Sequence, residues 1–459
     1  MSAAAFDLRR STRAIVGVTT LATVAACAAS RPEQALSVAT ADGRQVSMDS
    51  ATITYTVGAV RVIQRANYAN DVVSANLYLL GGTRQLTAAT QGIESLLLHA
   101  SQYGTRAYPG GASRTAWART GSILVIDTES DWTMFGFRGV RQEFDSSWSV
   151  FADRLTHPQF GAEGVTLARA KMLSRLRTRI EHPDGYVSLL ADSVAFTGHP
   201  YGLQTEGTEA SLTTLDSTAL ARYAAEQMVG TRLLLVVVGN IDRARLEAAV
   251  QRTLATLPAG TYAWSLPAPR VHTGSGVALL PRDVSTNYIM GTFQGPPASS
   301  PDVPAFRMAT AWLSSRVNHA VREERGLSYA AMAMMVDRGV VTGGLYVSTN
   351  SPGTVLPLIK AQIDSIRNVS YGMYSLRGFT DQFIMDYYAE NMTSAAQADF
   401  LARAQLLRGD YKRAAHAMDD LRGVGMSEMR GMVVKYFKDI QFVYLGDTTR
   451  VLRKMFTDF

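Results

Sequence analysis

One pattern occurs twice in this chain, and it constrains the fold more than any other feature. Leu234-Leu-Val-Val-Val-Gly239-Asn240 reads as a strand rich in β-branched residues, closed by Gly-Asn and followed by a helical stretch from Asp242 to Leu257. Phe442-Val-Tyr-Leu-Gly446-Asp447 repeats the strand and its Gly-Asp closure, with a helical stretch expected from Thr449 to Met455. A long helical region precedes each copy. The closing glycines lie 207 residues apart (446 less 239). Solenoid repeats are far shorter, about 20–50 residues, so this period predicts two homologous α+β domains. Between them, Leu266 to Gly276 carries Pro267 and Pro269 with nearby Gly and Ser, which marks the domain boundary.

The first half has further elements. Thr52-Ile-Thr-Tyr-Thr, Val60 to Gln64, Val72 to Leu80 and Ser122 to Thr128 read as strands. Gln91 to Tyr103 reads as a helix with Thr87 or Thr90 as N-cap and Gly104 as its stop. Further helices are expected over Trp148–Leu155 and Ala162–Glu181. In the latter, Leu167, Met172, Leu173, Leu176 and Ile180 form the apolar stripe and the arginines the solvated face.

The net charge of +6 is partly a leader effect, since Arg9, Arg10 and Arg13 outnumber Asp7. No dense Lys/Arg patch with interleaved aromatics follows, which argues against a nucleic-acid partner. The basic segment precedes an apolar run, Ala14 to Ala26, with the layout of a secretory signal peptide and too short to span a bilayer. It ends Val24-Ala25-Ala26-Cys27, and Cys27 is the only cysteine, so no disulfide framework is possible. This resembles the lipobox of bacterial lipoproteins, with residues 1–27 as a signal peptide ending at Cys27, which is lipidated and becomes the mature N-terminus, and residues 28–50, rich in Ala, Ser, Thr and Asp, as a flexible tether. The expected location is the bacterial envelope, facing the periplasm. Ala28 after the cysteine, in place of an aspartate that often marks inner-membrane retention, points to the outer membrane.

Four stretches together resemble the pitrilysin-like (M16) zinc metallopeptidases. They are Gly92-Ile-Glu-Ser-Leu-Leu-Leu-His99 with Gly104-Thr105, Gly198-His199-Pro200-Tyr201-Gly202 with Glu206-Gly207-Thr208, Val321-Arg322-Glu-Glu-Arg-Gly326-Leu327-Ser328-Tyr329, and the paired strand endings. The resemblance implies a mainly antiparallel sheet packed with helices in each domain, at residues 51–265 and 277–459 around the 266–276 linker, together forming half of a clamshell. It also implies a His-x-x-Glu-His helix at the first motif, where two histidines bind zinc and the glutamate is general base. Here the first histidine position is Ser95, the glutamate position is Leu98, and only His99 remains. The family's third ligand, a glutamate on a later helix, falls at Arg175, and a supporting glutamate falls at Ala168. A cation in the place of a ligand also repels a dication. His157, His182 and His199 have no i, i+4 pairing with His99. A metal-free, degenerate site is the expectation.

The third motif is intact. Val303 to Glu324 reads as one helix ended by Gly326, and Leu327 to Val336 as a strand, so Arg322 ends the helix and Tyr329 opens the strand. The resemblance gives these two the role of reaching the substrate, as donors to a peptide carbonyl or oxyanion. A lost metal site with a retained Arg/Tyr pair resembles the non-catalytic partner in the family's bacterial two-subunit branch. That implies a catalytic partner with an intact His-x-x-Glu-His motif and its own Zn²⁺, and an extended peptide as substrate. The alternative is a stand-alone scaffold or peptide-binding lipoprotein.

Overall fold

The computed structural model describes residues 37–39, 45–47, 51–368 and 373–459. Cys27 and its leader lie outside the described residues. Within the stretch expected to be a flexible tether, β1 (Ser37–Ala39) pairs antiparallel with β2 (Gln45–Ser47). The Asp42-Gly43 pair between these strands is a hairpin signal in the sequence.

In the first domain, β3 (Thr52–Val57), β4 (Val60–Ala66), β5 (Val72–Leu80), β6 (Ile123–Thr128), β7 (Trp132–Val140) and β8 (Leu233–Gly239) make a six-stranded sheet. Its order is β3-β4-β8-β5-β7-β6. In the second, β9 (Gly276–Pro281), β10 (Asn287–Pro297), β11 (Ser328–Val336), β12 (Val340–Thr349) and β13 (Gln441–Gly446) make a five-stranded sheet ordered β11-β12-β10-β13-β9. Among the described residues only β4 with β8 and β9 with β13 run parallel. Leaving out β3, the two orders match strand for strand: β4 with β9, β5 with β10, β6 with β11, β7 with β12, β8 with β13. The fold is α+β and built twice.

The repeated Gly-Asn/Asp closure has a shared geometry. Gly239 and Gly446 both hold φ at +151°. A Cβ on Gly239 would lie 2.9 Å from Val73 Cα at the start of β5, and one on Gly446 would lie 2.4 Å from Asn287 Oδ1 at the start of β10. Backbone dihedral and space both demand glycine. The helices that follow differ. The first copy continues as Arg243–Arg252 and a 3₁₀ turn. The second does not run from Thr449 to Met455 as expected: it makes a 3₁₀ turn, Thr448–Arg450, and one helical turn, Lys454–Thr457. Asp447 accepts from Thr449 N and Arg450 Nε, both at 3.0 Å, and Val451 then returns to extended backbone.

Each domain lends a helix to the other's sheet. Helix Pro183–Ala195 packs on β10 and β13, where Val187 joins Ala330, Tyr346, Val443 and Leu445. Helix Ser394–Arg408 packs on β5 and β8. The largest apolar cluster therefore draws on both domains, from Ile63, Tyr78 and Val236 to Leu401 and Phe442. Arg338 clasps both Asp192 carboxylate oxygens at 2.7 Å, and buried Asp131 accepts from the Gly339 amide at 2.6 Å. Tyr201, from the second sequence motif, donates to the same Asp131. That motif thus joins the two domains.

Candidate functional site

The first motif forms the helix Ile93–Ala100 and a 3₁₀ turn, Ser101–Tyr103. Neither expected threonine caps it. Thr87 and Thr90 bond each other at 3.1 Å, and the N-cap is Gly92 at φ +86°. A Cβ on Gly92 would meet Gly207 Cα at 2.6 Å. The Glu206-Gly207-Thr208 part of the second motif is thereby pressed against the start of the first. Glu94, in the first turn, is buried and accepts from Arg232 Nη2 and Tyr223 Oη, each at 3.0 Å. Arg232 also donates to the Leu80 carbonyl at 2.7 Å. This buried ion pair ties the helix to the sheet, and the sequence reading missed it because its partners lie 138 residues apart.

Ser95 and Leu98 are 1% and 0% exposed. Leu98 belongs to the first domain's core, with Leu77, Phe135 and Phe151. His99 alone of the three reaches the rim of a cleft. The facing helix, Ala162–Glu181, buries Val165, Ala168 and Met172. Of the expected stripe, Met172 is buried and Leu173, Leu176 and Ile180 are half-buried, but Leu167 is 43% exposed; Arg175, one turn after Met172, is exposed at the rim of the cleft. Arg175 Nη2 lies 2.9 Å from His99 Nε2. A guanidinium only donates, so Nε2 accepts and the ring proton sits on Nδ1. Burial pushes the His99 pKa down to about 3, with the charges of Arg175, Arg154 and Lys171 adding to the effect.

Arg154 lies behind this helix, donating to the Leu98 carbonyl at 2.8 Å and to Ser101 Oγ at 3.1 Å. Burial pushes its pKa down to about 9. The cleft itself holds about 450 Å³ and is lined by His99, Gln102, Ala168, Lys171, Ser174 and Arg175. Lys171, Ser174 and Gln102 were not anticipated, although Lys171 precedes Arg175 by one helical turn, a spacing legible in the sequence. His199, by contrast, bonds the Ala268 carbonyl at 3.0 Å, and His157 lies 3.2 Å from Asp153.

These residues do not fit a zinc ion. Ser95 and Leu98 are core residues, the exposed nitrogen of His99 is taken by a cation, and the remaining lining offers no carboxylate. Among the described residues no three His, Cys, Asp or Glu side chains gather into a metal-binding group.

The third motif differs locally from expectation. Helix Val303–Asn318 does not run on to Glu324 as an α-helix but widens into a π-helical turn, His319–Glu323. Such turns are found mostly as single insertions, often at functional sites. Gly326 at φ +60° then reverses the chain into β11. The Arg322 guanidinium sits over the Tyr329 ring, 5.1 Å from its centroid. Tyr329 is 69% exposed on an edge strand. Glu323 and Glu324 pair with His319, and Glu324 also with Arg325. Among the described residues Arg322 has no carboxylate partner. The structure thus joins His99 to Arg175 and Arg322 to Tyr329, and no described contact joins the two pairs.

Two family models match the chain: "Insulinase (Peptidase family M16)" over residues 61–209 and "Peptidase M16 inactive domain" over residues 214–372. Among curated proteins, the chain is 21% identical to the β subunit of a mitochondrial-processing peptidase from Blastocladiella emersonii, over 60% of this chain and 58% of that protein. It is 22% identical to an uncharacterised zinc protease of Mycobacterium leprae, over 62% of this chain and 66% of that one. The match thus spans less than two thirds of these two relatives. Among solved structures, a protease from Helicobacter pylori aligns with TM-score 0.78 and 15% identity, over 86% of this chain and 99% of that one. A peptidase M16 inactive domain from Pseudomonas fluorescens aligns with TM-score 0.77 and 17% identity, over 86% and 98%.

Proposed function

The chain belongs to the M16 peptidase family, and on that premise we propose that it is the non-catalytic subunit of an envelope zinc metallopeptidase. The observation that carries this reading is the Arg175–His99 hydrogen bond of 2.9 Å, which puts a cation on the one remaining ligand-type nitrogen. In this reading a partner subunit with an intact His-x-x-Glu-His helix brings Zn²⁺ and the general base. This chain closes the chamber and holds an extended peptide. Edge strands β6 and β11 each have one unpaired side within their sheets and can receive a peptide as an added strand. Arg322, stacked on exposed Tyr329, directs N–H and O–H donors at a peptide carbonyl in the partner's active site. Lipidated Cys27 anchors the subunit to the membrane, the outer membrane in preference to the inner.

Co-expression with the intact-motif partner, followed by peptide cleavage, tests this. Arg322→Ala and Tyr329→Phe are each expected to lower kcat/KM of the pair about a hundredfold, as loss of an oxyanion donor does at its weaker end. Cleavage by the pair that is unchanged in both variants would remove the shared-site reading. In that case a stand-alone scaffold or peptide-binding lipoprotein takes its place.

A further inference from the structure

We infer that the cleft beside His99 is a carboxylate-binding pocket, filled by an acidic residue of the bound peptide where the family fold otherwise holds metal ligands. The peptide part of this inference rests on the function proposed above, and the pocket itself stands on its own geometry. Lys171 and Arg175 lie four residues apart on one helix, so both heads emerge on the same face, into a cleft of about 450 Å³. The remaining lining is His99, Gln102, Ala168 and Ser174, with no Asp or Glu to neutralise either cation. The neighbouring arginines on this helix are spent otherwise: Arg177 pairs with Glu209 at 2.6 Å and Arg179 with Glu206 at 3.4 Å. Arg154 adds charge from behind while its own N–H groups are held by Leu98 and Ser101.

The Arg175 guanidinium is also oriented. One of its N–H groups is fixed on His99 Nε2, which sets the plane and leaves further donors for a ligand. A planar fork matches a carboxylate bidentately. The same fork also matches phosphate, but the free main-chain N–H groups that complete a phosphate site at a helix N-terminus are missing here. Lys171 and Arg175 stand well past the first turn of Ala162–Glu181, where those groups are already bonded within the helix.

The test uses acetate and inorganic phosphate as small probes, and two alanine-rich extended peptides that differ only by a central Glu or Gln. Acetate is expected to shift the His99 imidazole NMR signals saturably in the wild-type chain and not in Arg175→Gln. The Glu peptide is expected to bind about tenfold more tightly than the Gln peptide at low salt, as for partly exposed charge pairs acting together. Arg175→Gln and Lys171→Gln, both at exposed positions, should each erode that preference. Absence of any acetate response, or a response to phosphate with none to acetate, would overturn the inference. An acetate response in a chain that binds neither peptide would sustain the pocket and sink the function proposed above. Equal binding of both peptides with no acetate response would do the reverse.

Discussion

Replacing Arg175 by glutamine removes both the donor to His99 Nε2, 2.9 Å away, and a positive charge. Two unit charges about 4 Å apart interact by about 4 kcal/mol at an effective dielectric of about 20, or roughly three pKa units. The cleft is open to water, which cuts the effect to about one or two units. Burial, the larger cause of the His99 shift, remains in the variant. The His99 pKa is therefore expected to rise from about 3 by about one or two units while staying below its ordinary 6.5. Arg175→Glu should carry it further, since a carboxylate favours the imidazolium. NMR titration of the His99 ring protons reads this directly.

Stability follows with a defined sign. Between pH 6.5 and about 3 the folded His99 binds fewer protons than the unfolded chain does. Its contribution to stability is therefore full above pH 6.5 and is lost as pH falls toward the folded pKa. At about 1.4 kcal/mol per unit this amounts to at most about 5 kcal/mol, and about 2 kcal/mol once local opening admits water. Arg175→Gln should flatten that slope in urea melts. A wild-type His99 that titrates near its ordinary value, or one unmoved by Arg175→Gln, would refute the argument.

Three further outcomes concern stability. Arg232→Met leaves the Glu94 carboxylate buried with only Tyr223 as partner, and should cost about 3–5 kcal/mol in urea unfolding. Leu98→Glu, the family's residue at that position, puts a carboxylate where exposure is 0% and should cost about 3 kcal/mol on its own. Gly239→Ala meets Val73 Cα at 2.9 Å and a positive φ, and should lower stability by about 2 kcal/mol or more, against no loss for Gly431→Ala, which lies inside the helix Met426–Tyr436 with nothing within 4 Å of the added Cβ. Thermal melts of Gly239→Ala that match wild type would show that the strand end does not need glycine.

The sequence alone determined the duplication, because the evidence for it is local. A β-branched run makes a strand, and Gly-Asn or Gly-Asp makes its end, wherever they sit in the chain. It also determined which ligand chemistry is missing, since Ser95, Leu98 and Arg175 lack the necessary atoms whatever their surroundings. Only the tertiary structure decided what replaced that chemistry. By periodicity Arg175 belonged to the solvated face of a basic helix, and the family resemblance put it where the third ligand would stand. It became the partner of His99 because the burial of Val165, Ala168 and Met172 seats its helix against Ile93–Ala100, which brings the exposed Arg175 head over the His99 ring. The exchange of helices between the sheets, and the Glu94–Arg232 pair beneath the site, were likewise beyond the sequence. Both depend on residues more than a hundred positions apart, and local propensity carries no information about which distant surfaces meet.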